Sequence, residues 1–365
     1  MAKPTRRRFL RQTGGLSAVG IAGLAGCLGS DNGSDALQFY SWGGSTQEAL
    51  TEHVIEPFED EYDVDVEQSS FDDQDNMLAN VRSSPEGSYD IIMPSVERAY
   101  ESVEQDLVEP IRTENIDTWD NLLPVFEEFD ADPGEDTHLA PLYYGTIGMV
   151  VNTDHVDAED PSWELAWDTD LEGQVTMQDF AMVRVITTAL YLGLDPNSLE
   201  HEGSYEDGIE MVYDEMAAQH ELIDSYWSSG QEQVTMYSNE SAYIGDGWGG
   251  RILALQDDGY DNLEYVIPEE GAKGWTDMLA IAKGSQNRDM AEQFIEFAYQ
   301  DEIIRELSPE LGYPPATSVE SDEIEALPDF DPSGGEQLFF EDQVFVDEHE
   351  AEWTDTFDRI KMDQY

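Results

Sequence analysis

From Leu37 to Tyr299 the chain alternates short runs of strand-forming residues with amphipathic helical stretches, and nothing else in the sequence restricts the fold as much. LQFYSW at 37–42 reads as a buried strand, and Gly43-Gly44 make the turn after it. Ser45-x-x-Glu48 has the form of a capping box opening a helix to about residue 59. DVDVEQSS at 63–70 alternates with period two, as a half-buried strand does. A helix at about 74–83, the strand YDIIMPS at 89–95 and a helix at about 96–105 follow. Near 140–152 the pattern changes to two short strands, APLYYG and GMVVNT. Alternation then resumes with a helix at 162–168, the strand QVTMQD at 174–179, and helices near 181–192 and 204–218. Next come the strands SAYIGD (241–246) and LEYVIP (263–268) with a helix between them, the strand TDMLAIA (276–282) and a helix from Arg288 to Tyr299. Such alternation builds βαβ units and largely parallel sheets, so the expected class is α/β. Two lobes joined by extended crossovers leave a cleft between them, where ligand sites preferentially sit.

Charge sets the surroundings in which this fold must persist. The chain has 82 acidic and 16 basic residues, a net charge of −66. Self-repulsion on that scale opposes a compact state, but in molar salt the Debye length falls to about 3 Å and the repulsion is screened. The acidity therefore predicts a high-salt habitat, and it excludes nucleic acid as a partner, which needs a basic footprint. Disorder is the competing reading of high net charge. It is set aside by a 40% hydrophobic content with 14 Phe, 17 Tyr and 8 Trp, enough for a core.

The N-terminus reads as an address. Thr5-Arg6-Arg7-Arg8-Phe9-Leu10-Arg11 has the form of a twin-arginine export signal, with Arg6 and Arg7 as its pair. The uncharged stretch from Gly14 to Gly26 is too short to span about 30 Å of hydrocarbon but suits a signal-peptide apolar region. It ends in Leu24-Ala25-Gly26-Cys27, which resembles the lipobox of bacterial and archaeal lipoproteins, where the Cys is lipidated. Cys27 is the one cysteine in the chain, so neither an intramolecular disulfide nor a Cys-based metal site is possible. The polar run SDNGSD at 30–35 reads as a tether. The expected location is the outer face of the cell membrane, anchored by lipid after twin-arginine export.

Five further segments, in order across about 37 to 361, resemble the spermidine/putrescine-binding family of ABC-importer substrate-binding proteins. They are FYSW (39–42), GSYDIIMPS (87–95), APLYYGTIGMVVN (140–152), GWTDMLAIAKGSQN (274–287) and GYPPA (312–316). The resemblance implies a two-lobed, periplasmic-binding-protein-like (type II) fold that closes on a small cationic molecule. It implies the division 1–26 signal peptide, 27–36 tether, 37–145 with 277–320 as the first lobe, and 146–276 with 321–365 as the second. Carried over by position, it points to Trp42, Ser95, Trp275, Asp277, Tyr313 and Gln343 as ligand-binding residues. An ungapped fit adds Asp246 and Trp248 from GDGWGG at 245–250, and Asp179 from the strand ending VTMQD. The implied partners are an amine ligand and an ABC permease in the membrane, with the protein a monomer.

The residue types suit a cation. A desolvated ammonium over an aromatic face gains roughly 2 kcal/mol, and a carboxylate accepting its N–H groups forms a charge-assisted bond. The chain departs from the family pattern at Ser45 and Glu97, where polyamine binders carry aromatics, and at Arg184, where an acid is expected. A polyamine is the leading ligand, and a zwitterion such as an ω-amino acid, clamped by Arg184, is the alternative. A hydrolase or a structural lipoprotein are the readings from other classes. No G-x-S-x-G is present, and the histidines (53, 138, 155, 201, 220, 349) are scattered, so no catalytic residue and no cofactor is expected. Asp329-x-Asp331-x-Ser333-Gly334 begins like a calcium loop, but its twelfth position is Phe340, so it reads as a solvated acidic turn and no metal site is expected.

Overall fold

The computed structural model describes residues 36–365 apart from 72, 127–131, 133–135, 158–160, 332–334 and 336. Arg6, Arg7, Cys27 and the tether lie outside the described residues, as do Ser333 and Gly334 and the side chain of Glu97. Ten strands occur among the described residues: β1 (Leu37–Trp42), β2 (Val66–Phe71), β3 (Ile91–Ile92), β4 (Val108–Glu109), β5 (Leu139–Asn152), β6 (Val175–Thr176), β7 (Ile244–Trp248), β8 (Leu263–Val266), β9 (Ala272–Ala282) and β10 (Leu338–Phe339). They share one sheet with the order β2-β1-β3-β9-β5-β7-β6, while β4 and β10 also pair with β9, and β8 with β5.

The two short strands expected near 140–152 are a single strand of 14 residues, buried along its whole length. The register slips at Pro141/Tyr143 instead of the strand ending there, because the partner β9 carries the ladder past the irregularity. The expectation of largely parallel pairing is also corrected. Parallel pairs are confined to β1–β2, β1–β3, β6–β7 and β9–β10. β5 pairs antiparallel with β7, β8 and β9, and β9 antiparallel with β3 and β4. The cause is topological: β5 carries the chain out of one lobe and β9 brings it back alongside, so the two must run in opposite directions.

The first helix runs from Ser45 to Tyr62 with a π-helical turn at Thr51–Ile55. Its N-cap is Gly44 with no side-chain cap bond, so the capping box read at Ser45 does not form and Ser45 is left to face the cleft. Four α-helices stand where the sequence pattern gives none: Gly230–Ser238, Asp301–Leu311, the short Asp322–Glu325 and Gln343–Lys361.

The core lies in separate clusters. The largest draws on residues between Leu37 and Tyr144 and between Met278 and Leu338. A second joins the helix Ala181–Leu192 to the C-terminal helix through Val185, Ile186, Trp353 and Phe357. Two more flank β5 and β7, one around Met149 and Trp163, the other around Val150 and Tyr237. Residues 35–365 nevertheless form one compact unit, because β5 passes from the first cluster into the two beside β7 while pairing with β9.

The acidic turn at 329–331 is not solvated. Asp329 is fully buried and accepts bonds from the Thr146 backbone N–H (2.7 Å), the Thr146 hydroxyl (2.6 Å) and the Tyr265 hydroxyl (3.0 Å). Asp331 accepts from the N–H groups of Gly335 and Gln337. Three or more grouped metal-ligating side chains are absent among the described residues, and no described helix is long and apolar enough to cross a membrane.

Candidate ligand cleft

β5 and β9 bring the site together. Their register sets Tyr143 opposite Asp277 and Gly145 opposite Trp275. A side chain at Gly145 would put its Cβ 2.3 Å from the Trp275 ring, so the indole lies against the β5 backbone only because that position is glycine. Asp277 is almost wholly buried; its carboxylate accepts from the Tyr143 hydroxyl at 2.7 Å and, closely, from the Ser95 hydroxyl. Ser95 is the N-cap of the helix Val96–Glu104, yet its side chain makes no capping bond and is turned to Asp277 instead. Burial, and then the Asp277 charge, push the Tyr143 hydroxyl well above the ordinary tyrosine range, so it stays a donor.

Aromatic rings complete this wall. Trp275 meets Tyr313 edge-on with centroids 4.7 Å apart and Tyr143 edge-on at 6.3 Å, while Tyr143 and Tyr313 stack at 6.3 Å. Tyr313 is held by the GYPPA turn. Gly312 closes the helix Asp301–Leu311 in the left-handed conformation at φ 74°, and Pro314 accepts the Tyr144 N–H. Trp42, at the end of β1, packs against Phe71 at 4.7 Å. Trp42, Tyr143, Trp275 and Tyr313 line a cleft of about 600 Å³, within the usual range for a small-molecule site.

Six of the nine residues singled out from the sequence line this cleft: Trp42, Ser95, Trp248, Trp275, Asp277 and Tyr313. Asp179, Asp246 and Gln343 do not. Asp179 pairs with Lys361 at 2.6 Å, a contact created by the C-terminal helix. Gln343 opens that helix and donates to Asp347 at 3.0 Å. Asp246 is fully buried and accepts from the Gln178 N–H (2.8 Å) and the Trp227 indole N–H (2.9 Å). Arg184, the clamp of the zwitterion reading, is also turned away from the cleft. It is 1% exposed, donates to Gln219 and stands 4.0 Å from Asp246. Desolvation lowers its pKa, against the pull of Asp246.

The sequence reading missed Tyr143, Thr46 and Arg251, which also line the cleft. Tyr143 lay in plain view within APLYYG, but its role depends on the β5–β9 register. Arg251 follows Trp248 by three residues and is carried into the cleft by the first turn of the helix Gly249–Asp257.

A mixed sheet whose long strand β5 passes from one core cluster into others, with an aromatic and carboxylate cleft beside it, has the form of a ligand-binding protein of the periplasmic-binding type. The chain belongs to the family of bacterial extracellular solute-binding proteins, whose model matches residues 53–332. It is 25% identical over 301 residues to the spermidine/putrescine-binding periplasmic protein of Salmonella typhimurium, covering 82% of each chain. To the protein of the same name from Escherichia coli it is 23% identical over 300 residues, again covering 82% of each. Among solved structures, the spermidine/putrescine ABC transporter substrate-binding protein from Streptococcus pneumoniae superposes with a TM-score of 0.78 at 23% identity. That match covers 91% of this chain and 100% of the other.

Proposed function

We propose that this protein is the ligand-capturing component of an ABC importer and that its ligand is a small cationic amine, with spermidine and putrescine the leading class. The observation that carries this reading is Asp277: a buried carboxylate at the floor of the cleft, fixed by two hydroxyl donors and walled by Trp275, Tyr143 and Tyr313. An ammonium entering there gains a carboxylate and aromatic faces where water is excluded. The names of the relatives supply the polyamine class; Asp73 and Glu310 lie on the same side of the cleft, together with Asp75, which pairs with the lining Arg98 at 2.7 Å.

In this reading the lobes are 37–145 with 277–320 and 146–276 with 321–365, hinged on β5 and β9. Trp42, Ser95, Tyr143, Trp248, Trp275, Asp277 and Tyr313 form the site. The ligand is captured in the open state, the lobes close on it, and the closed monomer docks on a membrane permease. No reaction is catalysed. Export follows the twin-arginine route through Arg6-Arg7, Cys27 carries the lipid, and the acidic surface serves a high-salt exterior. Isothermal titration of the purified protein in 3 M KCl against spermidine and putrescine tests the ligand reading; absence of binding to either at millimolar concentration refutes the polyamine class. Release of Cys27→Ser protein from the membrane fraction is the expected outcome for the anchor.

A further inference from the structure

The two sides of the cleft differ in sign. Every lining carboxylate (Asp73, Asp75, Asp277 and Glu310) belongs to the segments 37–145 and 277–320. The opposite wall is built by Ile147, Gln178, Phe180, Val183, Trp248 and Arg251, with two small residues between them, and Arg251 is its one charged side chain among the described residues. The acids that might have faced a second ammonium there are committed elsewhere, Asp246 beneath Trp227 and Asp179 to Lys361.

Arg251 is also exceptional among the basic residues of this chain. Of the eleven beyond residue 26, Arg82, Arg98, Arg112, Arg184, Arg288, Arg305, Lys273, Lys283 and Lys361 each stand within 4.0 Å of a carboxylate. Arg359 lies over the Tyr365 ring. In a chain with 82 acids, Arg251 lines the cleft without an ion pair among the described residues. Its guanidinium packs over Gly230 and lies close enough to Tyr313 for its charge to act on that hydroxyl, while the Tyr313 ring comes within 2.9 Å of the Cβ position of the adjacent Gly250. Tyr313 in turn touches Trp275 and Tyr143 at the Asp277 end. One linear ligand along these rings would thus have a carboxylate at one end and a guanidinium at the other.

We infer that Arg251 is the specificity-determining residue of the far wall: within the proposed amine class it disfavours a second ammonium at that end and admits a carboxylate there. This rests on the reading of Asp277 as the ammonium site. The planar guanidinium offers paired donors to a carboxylate and only repulsion to an ammonium.

Length-matched ligands isolate the effect, because 4-aminobutyrate and putrescine have the same four-carbon span and differ only at one end. The pair 5-aminovalerate and cadaverine extends the reach by one methylene. Titration of wild type, Arg251→Gln and Arg251→Lys in 3 M KCl, alongside Asp277→Asn, gives the affinity ratio of amino acid to diamine for each. Arg251→Gln should lower that ratio by about tenfold or more, weakening the amino acid and strengthening the diamine, and Arg251→Lys should recover part of it. An unchanged melting temperature in Arg251→Gln checks that the fold is intact. A ratio within twofold of wild type overturns the assignment of Arg251 while leaving the Asp277 reading in place. Binding indifferent to Asp277→Asn overturns that reading, and the assignment with it.

Discussion

Asp277 and Asp246 both lie in the sheet beside the cleft, and both are all but sealed from water. Around Asp277 the donors are neutral hydroxyls from Ser95 and Tyr143, and its wall opens on the cleft. Around Asp246 the donors are the Gln178 N–H and the Trp227 indole, with Arg184 at 4.0 Å, and the carboxylate itself does not line the cleft. Trp227 both donates to Asp246 and meets Trp248 edge-on at 4.9 Å, so the carboxylate sits a layer below the cleft-lining indole. One acid borders the cleft, and the other is set beside an arginine beneath it. A buried carboxylate is therefore read as a binding group only where it also borders the cleft.

The sharpest way to break this contrast is to remove each charge in turn. Asp246→Asn leaves Arg184 buried without a charged partner and should cost on the order of 3 kcal/mol of stability, with ligand affinity at most slightly changed. Denaturant unfolding in 3 M KCl measures the first and titration the second; a stable variant with lost binding would reverse the two roles. Asp277→Asn should do the opposite, weakening amine binding by about 2 kcal/mol with little change in the unfolding midpoint.

The smallest effect concerns pH. Burial raises Asp246 and Asp329 to about 6. Both values lie above the ordinary carboxylate range, so between pH 4 and 6 the folded state binds more protons than the unfolded chain. Stability therefore falls as pH rises through that window and levels off above about 7. Each group should contribute about 1 kcal/mol between pH 5 and pH 7. Asp329→Asn keeps an oxygen for the Thr146 and Tyr265 donors and removes the ionisation. Its stability relative to wild type should rise by that amount between the two pH values, read as the difference in unfolding free energy; a constant difference would mean that Asp329 is ionised throughout.

Much of the cleft was legible in the sequence because short motifs fix local geometry. Trp275 and Asp277 stand two apart on a strand and both line the cleft, as strand alternation requires. Asp246 and Trp248 are also two apart on β7, yet only Trp248 reaches the cleft, because alternation gives a side and not a depth. Asp179 failed for another reason: its partner Lys361 sits at the end of a helix 182 residues on, which no local pattern announces. The β5 strand was read as two because its bulge resembles a break to any rule that sees one strand at a time.

The position of β9 also bears on how the molecule is made. Ala272–Ala282 pairs with β3 and β4, both more than 160 residues earlier, as well as with β5 and β10. The sheet therefore cannot close until three-quarters of the polypeptide has left the ribosome, and pairings so distant in sequence form slowly. A nascent chain stopped before Ala272 leaves β3 and β4 bare along one edge, exposed to pairing with other chains. For such a topology the safer order is to complete the chain before the first strands meet other partners, since its last strands complete its first.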